Sequence, residues 1–121
     1  MPPPTDADIV ILAGDIDVGV GGVRWAKCVF DKPTLYVAGN HEFYRGDIAY
    51  DVQHMRNLAE GSLVQLLDCN VIELRGVRFI GATLWTDFRL MSADEADVAR
   101  AMDVAERCMS DFNVIRLAAK R

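Results

Sequence analysis

Asp15, Asn40 and His41 are the residues of this sequence whose types and setting lend themselves most readily to chemistry. Each stands at the close of a short apolar run ending in Ala-Gly: the first lies in "DIVILAGDID", the other two in "TLYVAGNHE". A carboxylate can bridge two hard or borderline cations with its two oxygens, and a carboxamide can offer one of them a neutral carbonyl oxygen. An imidazole beside them is free to move a proton. Gly-Asp and Gly-Asn are also ordinary turn pairs after strands. Both together, with Glu42 directly behind His41, make a far more specific pattern than either alone.

The elements that must position these three residues follow from the flanking pattern. Ile9 to Leu12 and Leu35 to Ala38 are continuous apolar runs, the first largely β-branched, as in strands buried on both faces. The stretch between Asp15 and Asn40 has room for a loop, a helix over Val23 to Phe30 and a return through Lys32-Pro33. This is a βαβ unit, so the strands are expected to be parallel with a right-handed crossover. Parallel strands bring their carboxyl ends to one sheet edge, where open α/β folds hold ligands. Asp15, Asn40 and His41 are therefore expected to meet, each glycine freeing the backbone to turn the next side chain into the crevice.

Composition narrows the function classes. The 121 residues, 51% hydrophobic and 26% charged, suit one globular domain. The run Ile9 to Gly14 is far short of the ~20 residues of a membrane span, and no charged segment of signal-peptide type precedes it, so the expected setting is cytoplasmic, without a membrane partner. A net charge of −5 argues against nucleic-acid backbone binding by surface electrostatics. Cys28, Cys69 and Cys108 are widely spaced and odd in number, fitting neither a disulfide framework nor a metal knuckle; buried, reduced thiols are expected. Gly19 to Gly22 has only a weak likeness to a dinucleotide loop, because Arg24 stands where the third glycine belongs.

With Gly14-Asp15 followed by Gly39-Asn40-His41-Glu42, the chain resembles the calcineurin-like metallophosphoesterases, whose central motifs are GD and GNH(E/D). "ADIVILAGDIDVG", "YVAGNHEFY" and "GATLWTDF" look like the bacterial predicted phosphoesterases of that family, and the likeness spans most of the chain. It implies an α/β sandwich of two β-sheets flanked by helices, two divalent or trivalent metal ions (Mn, Fe or Zn), and a phosphate-ester substrate, small molecule or phosphoprotein. It also implies that Asp15 bridges the metals, Asn40 ligates the second, and His41 protonates the leaving oxygen. The family pattern opens with Asp-x-His on an earlier strand and closes with further His motifs, whereas His41 and His54 are the two histidines here. Asp6 and Asp8 precede the same strand that Asp15 follows; about seven residues at ~3.3 Å each hold them ~20 Å from it. Residues 1–121 are accordingly read as a single incomplete domain, the central part of the hydrolase, expected to be inactive alone and prone to self-association. The alternative is a degenerate, non-catalytic binding or interaction module derived from that fold.

The remainder reads as scaffold. Asp47 to Glu60 carries a helical apolar stripe stopped by Gly61, with His54 off the stripe and solvated. Val71 to Leu74 and Val77 to Trp85 flank Arg75-Gly76 as a hairpin, with Leu67 opening a strand slightly earlier and Trp85 a core aromatic. Ser92-Ala93-Asp94-Glu95 has the form of a capping box for a helix whose Val98, Met102, Ala105, Met109 and Phe112 are expected to pack on a sheet. Arg45 is read as a solvated loop residue.

Overall fold

The computed structural model describes residue 2 and residues 4–117, a mixed α/β chain with two small sheets. Strands β1 (Val10–Ala13), β2 (Thr34–Val37) and β3 (Val64–Leu67) form a parallel sheet in that spatial order. Helix α1 (Gly21–Val29) connects β1 to β2, and α2 (Ile48–Ala59) connects β2 to β3. Two successive crossovers of one hand put both helices on one face of the sheet, and they touch each other there. The expected βαβ unit is present, with the register Val10 to Thr34 through Ala13 to Val37.

That register sorts the side chains by face. Leu12, Tyr36 and Leu66 are opposite one another across the three strands and bury against Val23 and Ala26 of α1 and Met55 and Ala59 of α2. α2 begins where Asp47 accepts the Tyr50 N–H at 3.1 Å and ends before Gly61, whose φ of +69° reverses the chain. His54 is exposed, as the stripe required.

The other sheet face is covered unevenly. Strands β4 (Asn70–Leu74) and β5 (Val77–Gly81) form the expected hairpin, turned at Arg75 and Gly76, both at positive φ. Gly81 lies against Leu67 and Val37, so the hairpin end sits over β2 and β3 and leaves β1 open. Ile11 is consequently 57% exposed: β1 is an edge strand buried mainly on its helix face, where burial on both faces was expected. Leu67 closes β3 where it was expected to open a strand. β5 stops at Gly81 because its register partner Asn70 is the first residue of β4. The chain beyond runs on without a partner strand, fastened by the Thr83 hydroxyl, which donates to the Ala38 carbonyl at 2.8 Å.

Three further expectations are corrected. All three cysteines are exposed. Trp85 is half exposed, its ring 6.0 Å from Phe43, at the margin of the core. Helix α3 (Glu95–Cys108) is capped by Asp94, whose carboxylate accepts the Ala96 and Asp97 N–H groups, while Ser92 donates to the Asp97 side chain. Of its apolar face, Val98 and Ala105 are buried; Met102 and Met109 remain about half exposed, as does Phe112 in the short helix α4 (Asp111–Val114). α3 packs chiefly on α4 rather than on a sheet.

The exposed apolar side chains around the open β1 edge, Ile11 and Ile80 among them, predict self-association, since burying one isoleucine fully gains about 1.5–3 kcal/mol. Sedimentation should show a mass that rises with concentration, and Ile80→Lys should weaken the association about tenfold or more. A monomer at every concentration would contradict the prediction.

Candidate functional site

The site is built where β1 and β2 end. Gly14 leaves β1 at φ +90°, and a Cβ there would come within 2.8 Å of the Gly39 nitrogen. A Cβ on Gly39 would run into the Asp15 carboxylate and come within 2.9 Å of the Asp15 nitrogen. The shared Ala-Gly ending thus has a cause beyond the turn that sequence reasoning invoked: the two strand ends approach too closely for side chains at these positions. Asp15 itself adopts φ +57°, a left-handed conformation that Asp tolerates better than most residues.

Glu42 holds this arrangement together. It is fully buried on the 3-10 turn His41–Phe43. Its Oε2 accepts the N–H of Asp15 at 2.9 Å and of Gly39 at 2.8 Å; its Oε1 accepts the N–H of Ile16 and the Tyr36 hydroxyl, both at 2.8 Å. Its backbone carbonyl accepts from Gly19 at 2.8 Å. One carboxylate therefore pins the β1 end, the β2 end and the middle of β2, and four donors replace the water it lost on burial.

On this brace stand the three residues singled out by sequence. Asp15 Oδ1 accepts the His41 N–H at 3.2 Å, which joins the two strand ends directly. The His41 side chain is exposed and its ring lies 4.5 Å from that of Tyr44, inclined by 40°. Asn40 is half-buried, and its Nδ2 donates to both carboxylate oxygens of Asp111, at 3.1 and 3.0 Å. Asp15 and Asn40 both line a depression of about 600 Å³ that continues past Ala13 and Thr83 to Ile80 and Leu84. Asp15, Asn40 and His41 thus meet at one edge of the sheet.

Sequence reasoning gave no role to Glu42, Tyr44 or Asp111. Glu42 had a visible signal in its place directly after Asn40-His41. Asp111 had none, because it reaches Asn40 from 71 positions away along the chain.

No protein-family model, curated protein or solved structure matches this chain. Its site is therefore weighed on chemistry. Among the described residues no three His, Cys, Asp or Glu side chains gather as a metal-holding group. The Asp15 carboxylate and the Asn40 carbonyl fit as two oxygen donors to one hard divalent cation, which takes about six ligands; they do not make up the shells of two. No helix of the described residues is long and apolar enough to cross a membrane.

Burial raises the Tyr36 hydroxyl well above its ordinary pKa near 10, and the hydrogen bond and negative charge of Glu42, with smaller contributions from Asp17 and Asp15, push the same way. Above pH ~10 the unfolded chain loses this proton while the folded chain keeps it, so the folded state binds more protons and stability falls as pH rises. The expected loss is about 1.4 kcal/mol per pH unit above 10, absent below it. Urea unfolding between pH 8 and 11 should show this slope flattened in Tyr36→Phe, alongside a uniform loss of about 1.5–3 kcal/mol for the bond to Glu42. Parallel pH curves for the two proteins would contradict it.

Proposed function

We propose that this chain is the central part of a metal-dependent phosphate-ester hydrolase, of the calcineurin-like metallophosphoesterase kind and its two-sheet sandwich. The observation that carries the reading is the convergence of Asp15, Asn40 and His41 on one sheet edge, fastened by the Asp15 to His41 hydrogen bond and braced by Glu42. Asp15 and Asn40 would hold a divalent cation of the Mn, Fe or Zn type. Such a cation, when bound, polarises a phosphoryl oxygen and acidifies water. His41, whose backbone N–H meets Asp15 and whose side chain is exposed, would give a proton to the departing alkoxide oxygen. The depression beside Asp15 and Asn40 gives a phosphate ester room to lie against the sheet edge.

The small donor set also favours a second reading, a binding or interaction module that keeps the fold without turnover. The two part on cation binding. Paramagnetic Mn²⁺ added to the chain should broaden NMR signals first around Asp15 and Asn40, and Asp15→Ala should remove that effect. Turnover of an aryl phosphate or bis-aryl phosphate by residues 1–121 alone is expected to be negligible with Mn²⁺ present, because too few donors fix the ion. Broadening spread evenly over the acidic surface, or turnover that survives Asp15→Ala, would overturn the proposal.

A further inference from the structure

The side-chain amide of Asn40 has two ends of opposite character, and only one suits a cation. Its carbonyl oxygen attracts a metal ion, and its NH2 group repels one. In a free asparagine the two ends exchange by rotation. Here Nδ2 faces both oxygens of Asp111, and a carboxylate only accepts hydrogen bonds, so the NH2 end is committed to that side and Oδ1 to the other. Asp111 is in turn held by the Tyr44 hydroxyl, which donates to its Oδ1 at 2.7 Å and lies 3.3 Å from the Ser110 hydroxyl.

The segment bearing Asp111 is fastened independently of this contact. The Arg45 N–H donates to the Val114 carbonyl at 2.7 Å, the Ile48 N–H to the Arg116 carbonyl at 3.0 Å, and the Arg116 N–H to the Gly46 carbonyl at 3.0 Å. Residues 114–116 therefore pair with the loop that leaves His41, and this pairing delivers Asp111 to Asn40. Tyr44 touches both sides of the site, its ring packed at a tilt against His41 and its hydroxyl orienting Asp111.

We propose that Asp111, oriented by Tyr44, is a positioning residue that locks the Asn40 amide with its carbonyl oxygen turned toward the cation site. The cation part rests on the functional reading above; the lock itself does not. Partners that orient a metal ligand in this way typically contribute 10–100-fold to metal affinity.

Two measurements on the full 121-residue chain test the proposal separately from that reading: NMR of the Asn40 side-chain NH2 group without metal, and Mn²⁺ titration followed by electron paramagnetic resonance. Asp111→Ala should shift the Asn40 NH2 signals to those of an unrestrained asparagine and weaken Mn²⁺ binding about 10–100-fold. Tyr44→Phe should do the same in smaller measure. Asp111→Asn keeps an acceptor for the Asn40 NH2 and should restore most of the affinity, which loss of a direct ligand would not allow. If Asp111→Ala fails to fold, Tyr44→Phe and Asp111→Asn carry the test. Unmoved Asn40 signals in Asp111→Ala, or in Tyr44→Phe where Asp111→Ala does not fold, overturn the lock. Wild-type Mn²⁺ affinity in Asp111→Ala, or equal losses in Asp111→Ala and Asp111→Asn, overturns the positioning role. Shifted Asn40 signals with no Mn²⁺ binding by the wild-type chain sustain the lock and overturn its service to a cation, and with it the functional reading.

Discussion

A single buried carboxylate decides the geometry at the strand ends. Glu42 has no ion-pair partner among the described residues; instead its two oxygens take three backbone N–H groups and one phenol. The three N–H groups come from the turns after β1 and β2, and the phenol from Tyr36, already packed in the core. Hydrogen bonds to a charged acceptor contribute about 1.5–3 kcal/mol each, and leaving a buried donor unmet costs about 1–3 kcal/mol. The cluster is therefore largely all-or-none. Asp15 keeps its left-handed backbone because its N–H is held in this way, and His41 keeps its place because it is covalently next to the brace.

The close approach of Gly14 and Gly39 is the steric counterpart of that brace. A Cβ at either position would meet the backbone of the other strand end within 2.9 Å, so the ends would have to move apart and draw the Asp15 N–H or the Gly39 N–H off the Glu42 carboxylate. Packing thus supplies what the hydrogen bonds alone do not: on the helix face, Tyr36 is fixed between Leu12 and Leu66 and among α1 side chains, so its hydroxyl meets Glu42 without freedom to search. The same economy leaves the opposite face of β1 thinly covered, which is why the site's depression runs out onto apolar surface at Ile80 and Leu84.

Much of this was legible in the sequence. Two apolar runs of strand length with helical sequence between them fixed the parallel pairing, and topology alone then brought Asp15, Asn40 and His41 to one edge. Periodicity located α2 and its stop at Gly61, and the Arg75-Gly76 turn located the hairpin. What escaped depended on tertiary neighbours. The exposure of Ile11 follows from where the hairpin lands, which no property of β1 encodes. The half-exposed Met102 and Met109 have correct helical spacing but little surface to pack against. Asp111 is an ordinary acidic residue in its local sequence; only the pairing of residues 114–116 with the loop after His41 makes it a partner of Asn40.

Amide hydrogen exchange at Asp15, Ile16 and Gly39 tests the central role of Glu42 most directly. These three N–H groups lie beyond the ends of β1 and β2, where loop amides ordinarily exchange fast. If the carboxylate binds them as described, they exchange as slowly as Leu35 and Val37 in the central strand, and all three lose protection together in Glu42→Ala, which removes both acceptor oxygens. Exchange at the rate of open loop amides in the wild-type chain, with Leu35 and Val37 still protected, would contradict the account.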